Sequence, residues 1–207
     1  VSQSICKNKP QKCKLFQIVF WTKCMNLKKV LEILTKEFEK QKISYALIGG
    51  FAMGAYRMGR NTLDIDFLIT IEDMKKVDTI MHGLSYKKIH ATKDVSQYTS
   101  PVELFGEVDI LHAQRPISKE MLKNSIIKDA FDEKLKVKVL LPEDIIGLKI
   151  QAIANNPARK AKDTLDIEDI ISHFEGKMDW KKLSGYFKLF KMNTQYLSLK
   201  KKYEKKK

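Results

Sequence analysis

A chain of 207 residues, 43% of them hydrophobic and 31% charged, is long enough for one substantial core with room for a small appended helical unit. The longest apolar run near the N-terminus, Leu15 to Trp21, falls far short of the roughly 20 residues a spanning helix needs, which argues against a membrane partner and fits a cytoplasmic protein. The net charge of +14 suggests a polyanion as partner, but residues 1–24 hold five lysines and no acid and residues 200–207 hold six lysines against Glu204, so only +4 belongs to the body between them; lysines at chain ends are more often solvated than specific.

Residues 1–24 differ from the rest of the chain. They contain all three cysteines, Cys6, Cys13 and Cys24, which leaves the remainder without a thiolate site and suits a reducing compartment. Lysines precede their apolar run, but no small-residue cleavage site comes after it, against a secretory signal. The expected organisation is a flexible or spurious extension over 1–24, a core domain over 25–141, a helical region over 142–199 and a lysine-rich tail over 200–207.

Leu27, Val30, Leu31, Leu34 and Phe38 recur at helical spacing, giving a surface helix from about Met25 to Gln41. Tyr45 to Ile48 is then a short buried strand that stops at Gly49-Gly50, with a second helix expected over Phe51 to Met58. From Asp64 to Thr70 the residues alternate, Ile65, Phe67 and Ile69 on one face and Asp64 and Asp66 on the other. A helix is predicted over Glu72 to Leu84, a strand over Tyr86 to Ile89, and one or two strands from Val102 to Leu111, broken near Gly106. A hairpin-like stretch is expected around Asp129 to Leu141, and Pro142, well placed at a first helical position, opens a helical C-terminal third. The stripes Ile167, Ile170, Ile171, Phe174 and Trp180, Leu183, Phe187, Phe190 read as core.

Three features point to chemistry. Two glycines between a strand and a helix allow a tight turn and the close approach of a ligand, and the helix start presents unpaired N–H groups to an anion such as a triphosphate. Asp64 and Asp66, two apart on a strand, aim two carboxylates at one volume, which calls for a cation; magnesium suits oxygen donors and keeps waters and substrate phosphates in its shell. Asp109, between Val108 and Ile110 in an apolar strand, is costly there unless it faces a metal or a cleft, with Glu107 on the same face as a second candidate. If the strands of Asp64 and Asp109 are neighbours, three carboxylates could hold two magnesium ions roughly 3.5 to 4 Å apart. No His-Glu-x-x-His, Ser-His-Asp or P-loop pattern is present.

Taken together, Leu47-Ile48-Gly49-Gly50-Phe51-Ala52, Arg60-Asn61-Thr62-Leu63-Asp64-Ile65-Asp66 and Val108-Asp109-Ile110 resemble the signature of the DNA polymerase β-like nucleotidyltransferase superfamily. The Arg-x-Thr-x-Asp-x-Asp form, with Leu148-Lys149 and the run Lys162 to Ile167, resembles the bacterial AbiE-type (AbiEii/AbiGii) toxins of toxin-antitoxin systems. The resemblance implies an α/β (α+β) fold, a mixed sheet with flanking helices followed by a C-terminal helical bundle. It implies Asp64, Asp66 and Asp109 as catalytic residues and metal ligands for Mg2+, or Mn2+, with Asp109 also able to help deprotonate the acceptor. Gly49, Gly50, Arg60, Thr62 and Lys149 would bind the nucleotide, Arg60 and Lys149 by neutralising phosphate charge. For Asp163 and Asp166 the residues alone favour helix capping or internal salt bridges.

The implied reaction moves a nucleoside monophosphate from a nucleoside triphosphate to a hydroxyl with release of pyrophosphate. The toxin branch implies an RNA acceptor, tRNA first, or a protein, and a cognate antitoxin as partner. The same carboxylates would serve an aminoglycoside-type enzyme with a smaller, acidic acceptor pocket, and a degenerate relative would be a noncatalytic nucleotide-binding partner protein.

Overall fold

The computed structural model describes residues 27–59, 62, 64–100, 102, 105–131 and 135–204. Arg60, the three cysteines, the extension over 1–24 and the last three lysines lie outside the described residues. The chain divides into two compact units, one built on a sheet and comprising the described residues up to Lys123 with Ile127–Val139, the other comprising Asn124–Ile126 and the helices from Leu140 onward.

In the first unit, helix α1 covers residues 27–40, and its stripe Leu27, Val30, Leu31, Leu34 and Phe38 is buried throughout, as the helical spacing requires. Strand β1 (Tyr45–Ile48) leads directly into α2 (Gly49–Ala55), then come β2 (Asp64–Thr70), a 3-10 turn (Ile71–Asp73) and α3 (Met74–Gly83). Next are β3 (Lys87–Ala91), β4 (Val95–Thr99), β5 (Glu107–Ala113), α4 (Pro116–Lys123), β6 (Ile126–Ala130) and β7 (Leu135–Val139). The seven strands form one mixed sheet in the order β3-β4-β5-β2-β1-β7-β6. At its centre β2 runs antiparallel to β1 and parallel to β5.

The alternation of β2 has the expected consequence. Ile65, Phe67 and Ile69 are fully buried on one face, where Phe67 meets Phe38 edge-on at 5.2 Å and Tyr45 at 5.9 Å between ring centres. This aromatic cluster ties α1 to the sheet and fixes which face of β2 is core, leaving Asp64 and Asp66 to the other.

Several elements depart from the sequence reading. Helix α2 begins at Gly49, not behind the glycines, and ends at Ala55. The helix expected from Glu72 opens as a 3-10 turn and becomes α-helical at Met74. The strand expected from Val102 begins only at Glu107, beyond Gly106, which has φ +68°. Strand β4 was not anticipated, although Val95, Tyr98 and Thr99 are strand-forming types.

The second unit contains α5 (Pro142–Asn155), a 3-10 turn (Pro157–Arg159), α6 (Lys160–His173), α7 (Trp180–Leu189) and α8 (Asn193–Tyr203). Pro142 sits at the start of α5 as expected. The core stripe of α6, Ile167, Ile170 and Ile171, is buried together with Leu183 and Phe187 of α7. Two buried carboxylates stiffen this unit: Asp144 accepts from Tyr186 and pairs with Lys182 at 2.6 Å, and Asp163 pairs with Lys149 and Arg159. Among the described residues no helix is long and apolar enough to cross a membrane.

Phe67→Ala removes the centre of the aromatic cluster and is expected to cost about 3–5 kcal/mol, read as a lowered urea midpoint. A loss under about 1 kcal/mol would mean that the cluster does not anchor β2.

Candidate functional site

The pairing of β2 with β5 is parallel and in register from its first residue: Asp64 opposes Glu107, Ile65 opposes Val108, and Asp66 opposes Asp109. Opposed residues of neighbouring strands share a face, and strands lie about 4.8 Å apart. Four carboxylates, Asp64, Asp66, Glu107 and Asp109, therefore stand as two adjacent pairs at one end of the sheet. Strand β1, running the other way, places Ile48 opposite Asp66 at that same end, so the chain leaves the sheet into Gly49 beside the carboxylates.

The glycines have a measurable reason to be glycines. A Cβ on Gly49, which has φ +62°, would lie 2.0 Å from Oδ2 of Asp66, and a Cβ on Gly50 would lie 2.6 Å from the Cβ of Thr62. Both positions must lack a side chain so that Asp66 and Thr62 can rest against the start of α2. The space that the glycine pair offers a ligand is therefore shared with two of the other candidate residues, which already press on it. Thr62 additionally donates its hydroxyl to the carbonyl of Asp64 at 3.2 Å, a contact that ties the loop before β2 to the carboxylate strand.

Asp109 is half-buried. Its two oxygens accept from Nε2 of Gln97 on β4 at 3.1 Å each, and Gln97 is its register partner across the β4–β5 pairing. Burial pushes the Asp109 carboxyl above the usual carboxylate range; the Gln97 amide opposes that shift and the charge of Asp64 reinforces it. The site thus combines exposed Asp64 and Glu107 with a less solvated carboxylate that takes up a proton more readily.

Oxygen donors of this kind suit magnesium, which commonly takes one or two protein carboxylates and completes its shell with water and substrate phosphates. By donor chemistry the Asp64–Asp66 pair fits such an ion, with Asp109 beside it on the next strand. Among the described residues no group of three or more histidine, cysteine, aspartate or glutamate side chains is gathered into a metal-holding cluster. Any ion here would accordingly depend on oxygens brought by substrate.

Lys149 belongs to the helical unit. Its ammonium, assigned by resemblance to phosphate, is held by Asp163 at 3.3 Å and Asp166 at 2.5 Å, and the Lys149 side chain is only 12% exposed while that of Asp163 is fully buried. Arg159 completes the cluster through Asp163 at 2.8 Å. The internal salt bridges expected of Asp163 and Asp166 are present, and the partner they use is Lys149. Gln97 escaped the sequence reading: nothing in Val95-Ser96-Gln97-Tyr98-Thr99 marks it, because its role depends on register with a strand 12 residues further on.

No family model and no curated protein matches the sequence. The fold does have relatives among solved structures. The antibiotic-resistance factor ANT(2'')-Ia in complex with adenylyl-2''-tobramycin superposes with a TM-score of 0.60 at 13% identity, over 82% of this chain and 99% of that one. Its solution structure gives a TM-score of 0.57 at 15% identity, over 82% and 94%. An antigenic nucleotidyltransferase-like protein from Paracoccidioides brasiliensis gives 0.54 at 19%, over 87% and 94%. The chain has the nucleotidyltransferase fold, a mixed seven-stranded sheet with flanking helices followed by C-terminal helices.

The raised Asp109 carboxyl has a consequence for stability. The fold favours its protonated form, so the stability this group contributes is full below the ordinary aspartate pKa near 4 and is lost as pH rises through the raised value. Asp109→Asn should therefore have a higher Tm than wild type at pH 7, and the difference should close as pH falls below about 4. A variant less stable than wild type at pH 7 would show that ionised Asp109 is favoured by the fold.

Proposed function

We propose that this protein is a metal-dependent nucleotidyltransferase that moves a nucleoside monophosphate from a nucleoside triphosphate to a hydroxyl of a small, cationic acceptor such as an amino sugar. The observation that carries the reading is the in-register pairing of Asp64 and Asp66 with Glu107 and Asp109 beside the glycine turn.

Asp64 and Asp66 would hold Mg2+ or Mn2+, with Asp109 as the third ligand. When bound, the ion supplies neutralisation of charge on the phosphate oxygens. The backbone at Gly49 and Gly50 receives the phosphate chain, with the N–H groups that open α2 turned to it. Thr62 keeps that turn in place against Gly50. The acceptor hydroxyl attacks the α-phosphorus: a new O–P bond forms, the bond to the β-phosphate oxygen breaks, and pyrophosphate leaves. Asp109, beside that pair on the neighbouring strand, takes the hydroxyl proton as the attack proceeds.

A small cationic acceptor is favoured over RNA by charge. Most of the basic surplus that a polyanion would need lies at the chain ends, with only +4 over residues 25–199, and the exposed Glu107, outside the three metal-holding aspartates, remains available to an amine-bearing sugar. The likeness in fold to ANT(2'')-Ia, captured with an adenylylated tobramycin, supports the same direction. An RNA or protein acceptor with a toxin role is the second reading, resting on the Arg60 to Asp66 motif and the lysine-rich ends.

The test incubates wild type and Asp64→Ala/Asp66→Ala with each of four α-32P nucleoside triphosphates, magnesium, and either a panel of aminoglycosides or total cellular RNA and protein. Label on an aminoglycoside from wild type, reduced about 100-fold or more in the variant, is the expected result. Label on RNA or protein instead would replace the proposed acceptor. No label with any acceptor from folded protein would overturn the enzymatic reading.

A further inference from the structure

We propose that the helical unit holds a binding site for a small uncharged ligand, a single hydrophobic ring with one hydrogen-bonding group of the phenol type, in a cavity shared by α5, α6, α7 and α8. Every residue that carries the proposal lies between Ile150 and Tyr203, so it stands independently of the reading of the carboxylates on the sheet.

The cavity has a volume of about 150 Å³. Its floor is apolar: Ile150 and Ile153 of α5, Ile167 of α6, Phe187 of α7 and Leu199 of α8, each at most 7% exposed. Protein interiors hold few voids larger than a water molecule, so a space of this size walled by four helices departs from ordinary core packing. An engineered cavity of about 150 Å³ lined by Leu, Ile and Phe stays dry and binds benzene, which sets the size of the occupant at one ring.

The rim is polar. Thr164 of α6 and Gln195 and Ser198 of α8 also line the cavity, the first two half-buried and Ser198 exposed. Among the described residues none of these three side chains has a hydrogen-bond partner. Together they offer two hydroxyls and an amide, able both to donate and to accept, to a hydroxyl or N–H at the edge of a ring seated on the floor.

Charge selects against ions. Glu168 lines the cavity as well, but its carboxylate is already engaged by the Lys202 ammonium at 2.7 Å and the Tyr203 hydroxyl at 3.2 Å. An anion would face that carboxylate, and a cation would have to compete with Lys202 in a partly desolvated space. The same ion pair joins α6 to α8, so a ligand that touches Thr164 and Gln195 spans two helices already tied to each other.

The experiment uses the full chain labelled with methyl-13C methionine. Met192 lies in the cavity wall, and its methyl resonance, identified by its loss in Met192→Leu, is followed while phenol, benzylammonium or benzoate is added. The expected result is a saturable shift of Met192 with phenol, with Kd on the order of 1 mM, and binding of the two ions at least about 10-fold weaker. Ser198→Trp, at an exposed position, covers the mouth and should abolish the shift. Gln195→Leu should weaken phenol about 3–10-fold while leaving toluene unchanged, and it carries the test if Ser198→Trp does not fold. No saturable shift, an equal shift of methionines in the sheet unit such as Met81, or phenol binding unaltered in both variants would overturn the proposal. Benzoate or benzylammonium binding as tightly as phenol would overturn it too.

Discussion

The in-register parallel pairing of β2 with β5 is the constraint on which the site depends. Side chains alternate along a strand, so a slip of one residue would send Asp109 to the core face and bring Val108 to the position beside Asp66. The buried face prevents this. Phe67 is locked between Phe38 and Tyr45, and Val108 and Ile110 are fully buried on β5. Apolar burial on one face therefore fixes the placement of carboxylates on the other, and the register is what turns three separate motifs into one constellation.

The glycine turn is coupled to the same register. Asp66 reaches the start of α2 only because Gly49 has no side chain, and Thr62 reaches it only because Gly50 has none. The glycines thus serve the carboxylate strand as well as any ligand that approaches them. A phosphate chain received at α2 would lie next to Asp66, which puts the anion and the group that recruits its counterion side by side.

Much of this was legible in the sequence where the signal is local. The strand Tyr45–Ile48, the alternation from Asp64 and the proline that opens α5 lie where periodicity and proline chemistry place them. The carboxylate triad was legible as residue types, and its placement on adjacent strands could be stated only as a condition. The features that stayed hidden depend on contacts distant along the chain. Strand β4 comes after a polar stretch and carries weak alternation, and it is held by pairing on both sides with β3 and β5. Gln97 is ordinary until β4 sets it against Asp109. Lys149 could be read as a phosphate ligand because the sequence does not show that Asp163 is fully buried and needs a cation; a buried carboxylate is strongly destabilising when its partner is removed, which binds Lys149 to the architecture of the helical unit.

The measurement that tests the central claim most directly is a crystal structure of the protein with Mn2+ and α,β-methylene ATP, with the metal located by its anomalous signal. The expected result is manganese bonded to carboxylate oxygens of Asp64 and Asp66, with the phosphates against Gly49 and Gly50. Nucleotide bound elsewhere on the chain, with no metal at those two aspartates, would contradict it.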